Sequence, residues 1–134
     1  MAGIKKSIPI KDEYDIVTAR SAGKSISSEI GFGIVDQTRI STAISELARN
    51  ILVHANEGIV HLRQVAIDEK IGIEIMAEDA GPGIENIELA MTDGYTTGGG
   101  LGAGLPGTKR LMDDFEIDTE VGRGTTVTVR KWMC

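Results

Sequence analysis

The sequence predicts an α+β fold of two layers, with helices stacked on one face of a mixed, mostly antiparallel sheet. Three observations carry that expectation. Two helical segments with apolar residues at spacings of three and four follow one another in the first half. Short alternating runs that pair as hairpins dominate the second half. Neither half contains an internal repeat or a linker, so the 134 residues fit one domain over 1–134.

Ile4, Ile8 and Ile10 around Ser7 predict a short edge strand, and Asp12 or Asp15 suits the cap of the helix that follows. That helix runs to about Ile30 on Ile16, Ala19, Ala22, Ile26 and Ile30, shows Arg20, Lys24 and Glu29 on its other face, and stops at Gly31 and Gly33. Asp36 opens a second helix that reaches about Ala55 on the seam Ile40, Ala43, Ile44, Leu47 and Ile51. Strands from Gly58 to Ile67 and from Lys70 to Glu78 follow, around a turn near Asp68. The alternation of Ile71, Ile73, Ile75 and Ala77 gives their hairpin one buried face. A weak helix is expected near Ile87 to Met91, and Gly94 to Gly104 is too rich in glycine for regular structure. A last helix, from about Leu105 to Asp114, leads into strands Phe115 to Val121 and Thr125 to Trp132 around Gly122-Arg123-Gly124.

Composition narrows the function. Hydrophobic residues at 41% and charged residues at 25% are those of an ordinary globular protein. The 14 Lys and Arg against 20 Asp and Glu give a net charge of -6, which repels phosphate backbones and anionic lipid, so neither nucleic acid nor membrane is an expected partner. Cys134 is the one cysteine, which allows no internal disulfide and suits a reducing compartment, and with 2 histidines besides there is no zinc cluster to build. Met1 to Ile10 carries Lys5 and Lys6 without an apolar core after them, and a cytoplasmic location is expected.

Three constellations could carry chemistry. Glu46 and Asn50 are four apart on the second helix, with His54 on the same stripe, on a face away from the apolar seam; alone, such a pair is a solvated polar face. Asp79 ends a strand and opens Asp79-Ala80-Gly81-Pro82-Gly83. That run is a tight turn when taken alone, but an Asp at the mouth of a sheet can also accept a hydrogen bond from an exocyclic amine, while Gly81 and Gly83 let a flat purine lie against backbone. The run Gly98-Gly99-Gly100-Leu101-Gly102-Ala103-Gly104-Leu105 precedes a helix, so it is either a surface loop or an anion site made of free N–H groups and a helix N-terminus. Two common phosphate motifs fail here. Gly102 to Lys109 ends Thr-Lys instead of Lys-Ser/Thr, and Gly102, Gly104 and Gly107, though spaced as a dinucleotide fingerprint, follow a loop and not a strand.

Taken in order, Glu46-x-x-x-Asn50, Asp79-x-Gly81-x-Gly83, Gly102-x-Gly104 and Gly124-Thr125 resemble the Bergerat-fold (GHKL) ATPases and kinases, the family of gyrase, Hsp90, histidine kinases and MutL. Within that family the small size and the uninterrupted Gly98 to Gly107 segment are similar to the RsbT-type serine/threonine kinases of bacterial stress signalling, relatives of RsbW and SpoIIAB. The resemblance implies a two-layer Bergerat fold, ATP and Mg²⁺ as cofactors, and a set of roles. Asn50 would hold the metal and Glu46 would accept the serine hydroxyl proton. Asp79 would bind the adenine amino group, with Thr125 behind it. Gly81, Gly83, Gly100, Leu101, Gly102, Ala103, Gly104 and Leu105 would line the nucleotide. It also implies partners: a STAS-domain antagonist as substrate, a STAS-domain scaffold, and a PP2C-type phosphatase activated by the free kinase. One departure from the wider family is that no lysine stands in the glycine-rich segment to reach a γ-phosphate, Lys109 being the nearest. Alternatives within reach of the same residues are an anti-sigma-factor kinase and a nucleotide-gated binding module without phosphoryl transfer.

Overall fold

Asp12 and Asp15 together start the first helix. In the computed structural model, which describes residues 5–84, 91 and 104–133, strand β1 (Lys5–Ile10) runs into Asp12, whose extended backbone makes it the N-cap of α1 (Glu13–Ile30). The Asp12 carboxylate accepts the Asp15 N–H at 3.2 Å, and the Asp15 carboxylate accepts the Asp12 N–H at 3.2 Å, so two of the helix's orphan donors are satisfied reciprocally. Gly31, left-handed at φ 117°, closes the helix by donating to the carbonyls of Ser27 and Ser28.

Helix α2 (Ile34–Ala55) begins two residues before the expected start at Asp36. Gly33 is its N-cap and makes no side-chain capping bond, and Asp36 sits in the first turn, where a negative charge favours the positive end of the helix dipole. The two helices approach closely, because Gly23 of α1 lies where any Cβ would run into Ile44 of α2.

Strands β2 (Gly58–Ile67) and β3 (Lys70–Asp79) form the expected hairpin, with Asp68 at φ 56° in the turn. Helix α3 (Gly104–Leu111) is followed by β4 (Asp114–Glu120) and β5 (Gly124–Trp132). Helix α3 ends at Leu111 and not Asp114 because the sheet claims the next residues: the Asp113 N–H donates to the Arg130 carbonyl at 2.9 Å, and Trp132 Nε1 donates to Asp114 Oδ2 at 2.8 Å. The strand order is β1-β2-β3-β5-β4, with β1 at an edge as expected and every described pair antiparallel. Of the weak helix expected near Ile87 to Met91 all but Met91, most of the glycine-rich stretch, and the candidates Gly100, Leu101, Gly102 and Ala103 lie outside the described residues.

One face of the sheet meets the helices. Val60, Leu62, Ile73, Ile75, Ala77, Val127 and Val129 are buried there against Ile16, Ala19, Ile40, Ile44, Leu47 and Ile51, each fully buried aliphatic side chain contributing roughly 1.5–3 kcal/mol. Ile71, the first residue of the expected alternation, lies past the end of this layer and is 44% exposed.

The opposite face carries a buried charge. Glu74 is 4% exposed, and its carboxylate accepts Arg63 Nε at 2.7 Å and Arg130 Nε at 2.8 Å, from the cross-strand neighbours on either side. Burial pushes this carboxyl up, but the two guanidinium hydrogen bonds and their charges together outweigh it and hold the group below the usual glutamate range. Nearer the Asp79 end, Ser7 Oγ meets His61 Nδ1 at 2.7 Å and His61 Nε2 meets Glu78 Oε1 at 3.0 Å, which joins β1 to β3 across β2.

Because the folded pKa of Glu74 is lowered, its stabilisation is complete above the unfolded value of about 4.3 and is lost as pH falls through the folded value. Glu74→Ala is expected to cost about 2 kcal/mol at pH 7, towards the low side for a buried pair because Arg63 is half in solvent. Urea unfolding should show this gap constant between pH 6 and 8 and narrowing below about pH 4. A gap independent of pH would mean that Glu74 acts by packing alone.

Candidate functional site

Strand register builds one end of the site. Asp79 lies opposite Thr125 in the β3–β5 pair, and Thr125 lies opposite Thr119 in the β4–β5 pair. Side chains alternate along a strand, so Asp79, two residues beyond the buried Ala77, points to the helix side. The apolar row Ala77, Val127, Ile117 is thus followed, at the end of the sheet, by the polar row Asp79, Thr125, Thr119. Thr125 is buried and Asp79 half-buried.

The loop after β3 is held onto this row. Asp79 Oδ1 accepts the Gly81 N–H at 2.9 Å, so one carboxylate oxygen makes the turn that its sequence also suggested, and no other described residue bonds the group. Gly81 packs against Ala55 at the end of α2, where a Cβ would stand 2.6 Å from the alanine's. Gly83, at φ 77°, passes the Glu120 carbonyl too closely for a side chain, and Gly124, at φ 122°, lies against the Asp79 carbonyl. The Gly122 N–H donates to the Pro82 carbonyl at 2.9 Å and the Ile84 N–H to Thr119 Oγ1 at 2.9 Å, so the loop is fastened to the β4–β5 hairpin at two points.

The other end of the site lies on α2. Glu46 is 6% exposed, so its face is not the solvated one expected from the seam: α3 covers it. Its Oε2 accepts the N–H of Gly104, the first residue of α3, at 3.2 Å, and its Oε1 lies 3.5 Å from Arg49 Nη1, one turn further on. Asn50 is half-buried, and its carboxamide makes no hydrogen bond among the described residues, which leaves its oxygen available to a cation. His54 is half-buried further along the same stripe. Leu105 is 5% exposed and belongs to the core, so a ligand can meet it only through backbone. Thr108 Oγ1 ties the first turn of α3 back to the Gly104 carbonyl at 3.0 Å. Lys109 is exposed and lines a cavity with Phe115, Glu116 and Arg130, away from Glu46.

Helix α2 spans both ends. Ala55 packs on Gly81 and Ile51 on Gly58, beside Asp79, while Glu46 lies nine residues back, roughly 13 Å along a helix rising 1.5 Å per residue. Acceptors at one end, and a helix N-terminus beside a carboxylate and a carboxamide at the other, match a ligand with a base at one end and phosphates at the other. The residues present fit ATP and a metal held through Asn50.

A sandwich of this kind, with its ligand end between α2 and the ends of β3 and β5 around Asp79 and Thr125, is a nucleotide-binding α+β domain. Residues 35–133 match the family described as histidine kinase-, DNA gyrase B-, and HSP90-like ATPase, and the chain belongs to that family. It is 53% identical over 126 residues to the serine/threonine-protein kinase RsbT of Bacillus subtilis (strain 168), a match covering 94% of this chain and 95% of RsbT. It is also 33% identical over 121 residues to the anti-sigma F factor of Caldanaerobacter subterraneus subsp. tengcongensis, covering 86% of this chain and 83% of that one. Within the family it is thus a protein serine/threonine kinase of the RsbT type, and it uses ATP. Two solved structures share the fold. The RsbU and RsbW domains of a Mycobacterium tuberculosis protein align with a TM-score of 0.62 at 19% identity over 96% of this chain and 33% of that one. The mycobacterial sensor histidine kinase MprB aligns with a TM-score of 0.56 at 15% identity over 96% and 97%.

Sequence reasoning missed Thr119, Ile84 and Arg49. Thr119 was accessible, because a two-stranded hairpin around Gly122 to Gly124 puts it beside Thr125; the Ile84 and Arg49 contacts depend on loop and helix placement that no spacing encodes.

Gly124→Ala combines a left-handed φ with a Cβ driven into backbone, and is expected to lower stability by about 2–3 kcal/mol in denaturant titration. Gly122→Ala is the control, since its φ of 87° is strained but its Cβ would meet nothing within 4 Å, and it should cost markedly less. Equal losses would show that the close approach of Gly124 to Asp79 is unimportant.

Proposed function

We propose that residues 1–134 act as one ATP-binding kinase domain and as a partner-switching regulator of a bacterial stress response. The protein phosphorylates a serine or threonine on a STAS-domain antagonist, also meets a STAS-domain scaffold and, when free, activates a PP2C-type phosphatase. The 53% identity to RsbT, against 33% to an anti-sigma F factor, favours this over an anti-sigma-factor kinase. The observation that carries the catalytic part is the buried Glu46 carboxylate at the start of α3, one turn from Asn50.

Phosphoryl transfer asks the protein for positioning and for charge stabilisation more than for covalent chemistry. Asp79 accepts the adenine amino group, with Thr125 behind it, and the backbone at Gly81, Gly83 and the segment from Gly100 to Leu105 lines the nucleotide. The Asn50 oxygen holds Mg²⁺, and the metal when bound neutralises charge on the phosphates. Glu46 accepts the proton of the incoming hydroxyl; its Oε2 is oriented by the Gly104 N–H, and Oε1, with only a long contact to Arg49, keeps lone pairs for that proton. Partners dock on α1, whose exposed side carries Arg20 and Lys24 one turn apart beside Tyr14, which is 81% exposed, and Val17. An acidic surface complements that pair.

Two measurements test this. Glu46→Gln keeps shape and the Gly104 hydrogen bond but removes the base, so phosphorylation of a STAS-domain partner should fall by about 10²–10⁴-fold while ATP affinity stays within a few-fold. Transfer at the wild-type rate would overturn the assignment of Glu46. Arg20→Glu with Lys24→Glu should weaken pull-down of the STAS antagonist and the phosphatase without changing ATP affinity. Capture of both at full strength would put the docking surface elsewhere.

A further inference from the structure

The hydroxyl of Thr119 is the meeting point of three segments. It accepts the Ile84 N–H at 2.9 Å, donates to the Gly124 carbonyl at 3.2 Å, and lies 2.8 Å from Thr125 Oγ1. A hydroxyl has one proton and two lone pairs. In the arrangement where its proton goes to the Gly124 carbonyl and one lone pair to Ile84, only a lone pair remains for Thr125, and Thr125 is then the donor in their contact. The Thr125 proton is thereby spent inside the protein, and Thr125 presents lone pairs to the mouth of the site. Asp79, its cross-strand neighbour, presents a carboxylate oxygen there as well.

We propose that Thr119 is a positioning residue that sets base selectivity: by consuming the Thr125 proton it makes the end of the sheet an acceptor-only surface, which takes a base with an amino group at that edge and rejects one with a carbonyl. The proposal rests on the reading of Asp79 and Thr125 as the base-binding pair. An adenine offers two N–H donors on its exocyclic amine; a hypoxanthine or guanine offers an oxygen at the same place, which two acceptors oppose. With Thr119 lacking its hydroxyl, Thr125 regains a free proton that can turn toward the ligand and donate to a carbonyl there. The same loss unties Ile84, and with it the loop that follows Asp79.

The test compares Thr119→Val, Thr119→Ser and Asp79→Asn by calorimetric binding of ATP, ITP and GTP, with thermal unfolding of each variant. Thr119→Val should weaken ATP by roughly fivefold to tenfold, the effect of one or two hydrogen bonds, and should narrow the ATP to ITP preference by a similar factor. Thr119→Ser should restore both. A purely structural role would lower the unfolding temperature yet weaken all three nucleotides equally, and that result overturns the proposal. If Asp79→Asn loses ATP selectivity while Thr119→Val keeps the wild-type ratio, Thr119 alone is wrongly assigned. If Asp79→Asn also binds all three nucleotides as the wild type does, the base-binding pair is wrong and the proposal falls with it.

Discussion

The site depends on which residue of β5 stands opposite Asp79. Side chains alternate along a strand, so a slip of one position would turn Asp79 to the outer face and bring Glu78 or Ala80 to the mouth between sheet and helices in its place. Two features on opposite faces forbid that slip. On the inner face the pairs Ala77 with Val127 and Ile75 with Val129 are buried under the helices, and a slip would expose them. On the outer face Glu74 bonds Arg63 of β2 and Arg130 of β5 at the same time, and a slip would leave a buried carboxylate without partners. The ion cluster is remote from the site, but the register it fixes is the one that aligns Asp79, Thr125 and Thr119.

Helix α2 turns that row into half of a longer site. Its position over the sheet follows from contacts that leave no slack: Gly23 of α1 against Ile44, Gly58 against Ile51, Gly81 against Ala55. With the middle and the C-terminal end of α2 so held, the stretch that carries Glu46 and Asn50 is kept beside α3. Burying the Glu46 carboxylate carries a desolvation penalty, which the Gly104 N–H and the nearby Arg49 guanidinium offset. A group kept buried and oriented at such a penalty is one whose position matters, in contrast to the solvated acids of α1.

Much of this was legible in the sequence, and the exceptions have physical causes. Helix and strand periods marked the described elements to within a few residues, because each buries a single face. The start of α2 was misread because Asp36 is a good capping residue in isolation, whereas Gly33 already had the extended backbone an N-cap needs. The exposure of Glu46 was misread because the apolar seam reports only what packs on the sheet and α1; the cover on the other side comes from α3, late in the chain. The burial of Glu74 has no sequence signal, since spacing along β3 says nothing of the arginines that neighbouring strands bring beside it. Motif order, by contrast, identified the family, because four short motifs in sequence constrain one another more than any one does alone.

The two ends of the site differ in polarity, and this sets which way round a ligand can lie. The sheet end offers acceptors, Asp79 and Thr125, while the α3 end offers the amide of Gly104 at a helix N-terminus. A molecule with an amine at one end and anionic groups at the other fits in one direction only, since reversed it would set its anions against the Asp79 carboxylate. The donor at the α3 end is already engaged, for the Gly104 N–H is bonded to Glu46 Oε2. An anion arriving at that helix end must share the amide with Glu46. The Glu46 carboxylate and an incoming anion therefore compete for a single backbone N–H.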